Sequence, residues 1–191
     1  MKTFKTLAVV AAAWLGSGAA LAATVPVGTL ITGGVSGAST ALLGLDHGYA
    51  DEPGSNVTKL SDGFGDLEFI TGDAAVGIDF LSSGLLQIWN NSGDAGLPGS
   101  YTFTFSFAGL GQPLSGIVGL DMSGLSGGSV GLQLVDDHRV SVTLNNLRFT
   151  DSFGSITAQL NVATVPEPGS LLLAGAGLGL LALRRTRRAA A

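Results

Sequence analysis

Cysteine is absent from this chain of 191 residues, and only two histidines, His47 and His138, are present. Without cysteine, the protein has no disulfide, no thiol nucleophile and no cysteine-bound metal. The fold therefore has to be held together by burial alone.

Cations are also scarce in the middle of the chain. The net charge is −5, but the leader (residues 1–22) contributes +2 and the tail (residues 165–191) contributes +3, which leaves −10 for the body between them. Its strong cations are Lys59, Arg139 and Arg148. Such an acidic body repels phosphate backbones, so nucleic acid is disfavoured as a partner.

The leader has the pattern of a secretory signal peptide. Two lysines precede an apolar stretch, and Ala20 and Ala22 supply the small-x-small site that signal peptidase needs. We interpret residues 1–22 as a signal peptide, with a signal helix, that is cleaved after Ala22. An uncleaved N-terminal anchor is the alternative.

The body, residues 23–164, is rich in strand patterns. The segment Tyr101–Phe107 (YTFTFSF) alternates aromatic and hydroxyl residues without a break. Because side chains alternate between the two faces of a strand, all four aromatic rings are predicted on one face, which is the core face.

A β-hairpin is predicted further along, with strands at 130–135 and 139–144 joined by the polar turn 136–138. Residues 156–162 alternate again. Weaker strands fit Val27–Ile31, Thr40–Leu45, Leu67–Ile70, Val76–Leu81 and Leu85–Asn90. Many short strands separated by Gly, Asn, Asp and Ser predict an all-β fold, namely an antiparallel β-sandwich of the jelly-roll or Greek-key kind.

Catalytic motifs are weak. Ser126 lies in GLSGG, which matches the G-x-S-x-G nucleophile elbow, but that motif needs a helix after it and a strand-like segment follows here. Asp136, Asp137 and His138 could present carboxylate and imidazole together for acid–base work, although a polar turn explains them better. No paired carboxylates of a glycosidase stand out, and we predict no catalytic residue and no enzyme activity.

Acidic loops raise the question of calcium, which binds carboxylate and carbonyl oxygens. The candidates are Asp62, Asp66 and Glu68, and the stretch 46–52 has similar residue types. Because no EF-hand spacing is present, solvated acidic loops are preferred, with no cofactor, and calcium is the alternative. Trp89 could stack on a sugar ring, but its place at the end of an apolar run predicts a core residue.

The tail combines three features in a fixed order. Pro166 and Pro168 hold the chain extended. An apolar run over about 169–183 follows, which is only about 22 Å long as a helix, against a hydrocarbon core of about 30 Å. Four arginines come next (Arg184, Arg185, Arg187 and Arg188), and the positive-inside rule keeps them in the cytoplasm. We predict a marginal transmembrane helix with the body outside.

This order resembles the PEP-CTERM sorting signal of Gram-negative bacteria, over residues 165–191. The resemblance implies a recognition motif at Val165, Pro166, Glu167 and Pro168, with the arginines as the cytoplasmic stop. It further implies processing by an exosortase, often in cells that make exopolysaccharide. A plain membrane anchor is the alternative. The body resembles no enzyme family.

The sequence therefore predicts an exported protein, anchored in the inner membrane as a precursor and then sorted to the cell surface. Its expected role is structural, in an extracellular matrix, with exopolysaccharide as a further partner. A carbohydrate-binding module, with or without calcium, is the alternative, and an exported hydrolase is a third candidate.

Overall fold

The computed structural model describes residues 24–46, 50–51, 55–62 and 66–163. The strands are β1 Leu30–Gly37, β2 Leu42–Asp46, β3 Ala50–Asp51, β4 Val57–Lys59, β5 Phe69–Thr71, β6 Val76–Phe80, β7 Leu85–Asn90, β8 Gly96–Ala108, β9 Leu114–Asp121, β10 Leu125–Asp136, β11 Arg139–Phe149 and β12 Ser155–Val162. None of the described residues is helical, which confirms an all-β body.

The leader and the tail, with the predicted signal helix and transmembrane helix, lie outside the described residues. In the described part of the chain, no helix has the length and apolar character that crossing a membrane requires.

The strands form two antiparallel sheets. The small sheet has the order β10-β11-β8-β1-β4, and the large sheet has the order β3-β2-β5-β6-β7-β12-β9. Consecutive strands pair in the β5-β6-β7 meander and in the β10-β11 hairpin, whereas most other connections lead from one sheet to the other. The jelly-roll or Greek-key connection stays a prediction.

Aromatic rings join the inner faces of the two sheets. Phe105 of the small sheet contacts Phe69 and Phe80 of the large sheet, with ring centroids 5.5 and 5.0 Å apart. Phe80 also meets Phe107 edge-on at 5.4 Å. Such tilted and edge-on pairs add about 0.5–1.5 kcal/mol beyond the area that they bury. One core therefore lies between the sheets, as expected for a sandwich.

The clearest strand predictions are confirmed. Tyr101, Phe103, Phe105 and Phe107 are all buried on one face of β8. The hairpin is confirmed too, with a two-residue turn at Asp137–His138, although β10 begins five residues earlier than the pattern indicates. The buried residues of β12 alternate as expected.

Other boundaries differ from the patterns. The strand predicted over Val27–Ile31 is wrong in its first part, because the Thr29 N–H and hydroxyl both donate to the Pro26 carbonyl and form a turn. The patterns also miss β3, β4 and β9. In β9 (LSGIVGLD), two glycines remove side chains that would have shown the alternation.

Candidate functional site

The three calcium candidates lie in the connection between β4 and β5, and each accepts a hydrogen bond. Asp62 Oδ1 accepts the Ser82 N–H at 2.7 Å, and Asp66 Oδ2 accepts the Ser61 hydroxyl at 2.9 Å. The side-chain hydroxyl and N–H of Ser82 lower the pKa of Asp62. The carboxylates of Asp62 and Asp66 thus already accept hydrogen bonds from the protein's own donors.

Glu68 differs from the other two because its side chain is only 2% exposed. Oε1 accepts the Ser61 N–H at 2.9 Å, and Oε2 accepts the Phe80 N–H at 2.7 Å. Burial raises the pKa of Glu68 to about 8, although the two N–H donors act in the opposite direction. The carboxyl therefore keeps its proton at neutral pH.

Asp79, the fourth residue of β6, is the acidic residue that the patterns miss. It is half-buried and shares a hydrogen bond with Glu68. Burial raises the pKa of Asp79, and the charges of Asp66 and Asp62 raise it further, whereas the hydrogen bond with Glu68 lowers it. Protonated Glu68 is thus the donor and Asp79 the acceptor. A carboxylate inside the apolar strand VGIDF is the signal that could have identified it.

The four carboxylates converge, but not as a tight metal cage. Among the described residues, the group of three or more metal-type side chains whose ligand atoms all lie within 4.8 Å of one another is Asp136, Asp137 and His138. Asp62, Asp66 and Glu68 do not form such a group. The side chains of residues 46–52 lie outside the description.

Asp136, Asp137 and His138 lie at the exposed hairpin turn. Asp136 Oδ1 accepts the His138 N–H at 2.9 Å, and Asp137 Oδ1 lies 2.6 Å from His138 Nδ1. Two further hydrogen bonds fix the turn, because the N–H groups of Phe107 and Leu114 donate to the carbonyls of His138 and Asp137, respectively. These bonds are what a polar turn requires.

Ser126 lies inside β10, and its hydroxyl donates to the Phe149 carbonyl at 3.2 Å. The strand continues to Asp136 with no helix after the serine. A nucleophile elbow needs a strand–turn–helix context, and this geometry lacks it.

Trp89 is 37% exposed, so the prediction that it is a core residue is wrong. Its strand alternates, and the buried neighbour Ile88 faces the core instead. The indole therefore lies on the outer face of the large sheet, opposite Ser155 of β12 and Gly77 of β6.

The predicted processing sites lie outside the described residues: Ala20, Ala22, Val165, Pro166, Glu167, Pro168, Arg184, Arg185, Arg187 and Arg188. A comparison with models of protein families nevertheless finds a match at residues 164–188. That segment is a PEP-CTERM protein-sorting motif. The resemblance of the tail is thereby confirmed, and the motif indicates an exported protein processed by an exosortase. No match to the chain was found among curated proteins or solved structures.

Proposed function

We propose that this chain is exported, held in the inner membrane as a precursor by its tail, cut by an exosortase and then released to the cell surface. The observation that carries the proposal is the PEP-CTERM motif over residues 164–188. The motif begins two residues after the last strand, which ends at Val162. An export signal at residues 1–22 fits the same route.

The body then acts outside the cell as a structural component of an extracellular matrix, without catalysis and without a cofactor. Two features support a structural role. Ser126 is bonded within a strand, and Glu68 is too buried to meet a substrate. A glycosidase needs two carboxyl groups on either side of an accessible bond.

The test is mass spectrometry of the mature C-terminus in the producing bacterium. Glu167→Ala leaves the apolar run and the arginines intact, so we expect the precursor to insert but to accumulate at full length. Changing the four arginines to serine removes the orienting charge, and processing should then fail for lack of anchoring. Changing them to lysine is the matched control and should restore processing. A mature protein that retains residues 171–183 would refute the proposal.

Carbohydrate binding is the second candidate function, and the exposure of Trp89 favours it. An exposed indole on a sheet face presents a flat apolar surface and an N–H donor together. Exopolysaccharide around the cell would be the natural source of such a ligand.

A further inference from the structure

On the outer face of the large sheet, polar and aromatic side chains lie close together on β6, β7 and β12. We call this surface the Trp89 face. It consists of two rows across β6, β7 and β12, which are Gly77–Trp89–Ser155 and Asp79–Gln87–Thr157. Neighbouring strands in a sheet lie about 4.8 Å apart, and residues two apart on one strand lie about 6.7 Å apart.

Trp89 is the apolar part of this face. Gly77 stands opposite it and carries no side chain, and the Leu67 side chain lies over Gly77, so the indole borders Leu67 on the β6 side. The indole N–H makes no hydrogen bond to any described residue. Phe153, 66% exposed, lies in the turn that leads into β12, next to the end of β7. A flat apolar ring with a free donor is the group that stacks against the C–H face of a sugar.

The second row supplies polar groups beside the ring. Gln87 Nε2 donates to the Ser155 hydroxyl at 3.2 Å, which leaves Gln87 Oε1 as an open acceptor. Asp79 stands opposite Gln87 in the register. Its carboxylate shares a hydrogen bond with the Glu68 side chain. Glu68 in turn accepts two backbone N–H groups. Adjacent amide and carboxylate groups with fixed positions match neighbouring hydroxyls of a sugar ring.

We propose that the Trp89 face binds a neutral polysaccharide, with one sugar ring stacked on Trp89 and the hydroxyls of the next unit bonded by Gln87 and Asp79. The charge of −10 on the body repels an anionic polymer, so an uncharged chain is the occupant that fits. The ligand of the second candidate function is thereby specified, and the inference rests on that function.

The experiment is affinity electrophoresis of the full chain in a polyoxyethylene detergent, through native gels containing dextran, soluble starch, laminarin or hydroxyethyl cellulose. Alginate is the anionic comparison. We expect at least one neutral polymer to retard the protein and alginate to retard it less. Trp89→Ala should weaken binding by tenfold or more, whereas Trp89→Phe, which keeps a ring, should stay within about threefold.

Gln87→Ala provides a second variant that spares the aromatic ring, and it should also weaken binding. Thr104→Val is the matched control, because Thr104 faces outward on the small sheet and its loss should leave binding unchanged. Equal melting temperatures establish that each variant is folded. The proposal fails if no neutral polymer retards the protein, if alginate is preferred, or if Trp89→Ala and Gln87→Ala bind like the original chain. Tail processing is scored separately, so loss of sugar binding with normal processing would overturn this inference alone.

Discussion

Replacing Glu68 by glutamine should change how the stability of the body depends on pH. The pKa of Glu68 is about 8 in the folded protein, against an ordinary value of 4.5. Between these values the folded state holds a proton that the unfolded state has released. The free energy of unfolding therefore falls as pH rises through this range. At about 1.4 kcal/mol per pH unit, the loss amounts to roughly 4–5 kcal/mol between pH 4.5 and 8.

Glutamine cannot ionise, so the variant should lose this pH dependence. It also has one oxygen where the carboxyl has two, and either Ser61 or Phe80 loses the acceptor of its backbone N–H. That loss costs about 1–3 kcal/mol at every pH. We therefore expect the variant to be the less stable protein at pH 5 and the more stable one at pH 8, with the two curves crossing between them.

Thermal unfolding of the mature protein, followed by circular dichroism from pH 4.5 to 8.5, measures this directly. For a body of this length, about 3 °C of melting temperature corresponds to 1 kcal/mol, so the original protein should lose roughly 10–15 °C relative to the variant. Asp94→Asn, which changes an exposed carboxylate, should run parallel to the original protein. Parallel curves for Glu68→Gln would show that Glu68 is ionised in the folded state, and the argument would be refuted.

Further predictions follow from other parts of the body. Val142→Asp puts a charge into the core and should prevent folding, whereas Thr143→Asp, on the outer face of the same strand, should change the melting temperature by only a few degrees. Circular dichroism that shows both variants equally folded would contradict the strand orientation. Gly37 has φ of +103°, and a Cβ there would overlap the Ser100 carbonyl. Gly37→Ala should thus cost more than 2 kcal/mol, about twice the cost of Gly93→Ala, where φ is +80° but space is free; equal losses in urea unfolding would count against this. Added calcium should shift the melting temperature by less than about 1 °C, and a large rise would establish a metal site in the acidic loops.

The strands that could be predicted from the sequence are those with a complete alternation. From Tyr101 to Phe107 every second residue of β8 is aromatic, so one buried face follows from the period of two alone. β9 has glycine at two positions, which interrupt its alternation, and β4 has only three residues, too few to show a period. The order of strands in each sheet depends on pairings far apart in the chain, which local patterns do not encode.

The candidate sites show the same limit. The tail motif is contiguous, so the sequence alone identified it. Asp79 and Glu68 meet through the pairing of β5 with β6, and the resulting rise in the pKa of Glu68 depends on burial that only the folded sheet produces. The apolar run that ends at Trp89 predicts a core residue, but the alternation of β7 turns Ile88 inward and Trp89 outward.

The position of β12 in the large sheet has a consequence for the order of events during export. This strand is the last of the body to be synthesised, yet it pairs with both β7 and β9. Until it has crossed the membrane, β9 has no partner in its sheet and β7 has an open edge, and open edges invite pairing between chains. The sorting motif begins at residue 164, two residues after β12 ends. β12 therefore completes the sheet at nearly the same time as the tail reaches the membrane. Until then, the edges of β7 and β9 are exposed, but the body is still held at its own export site.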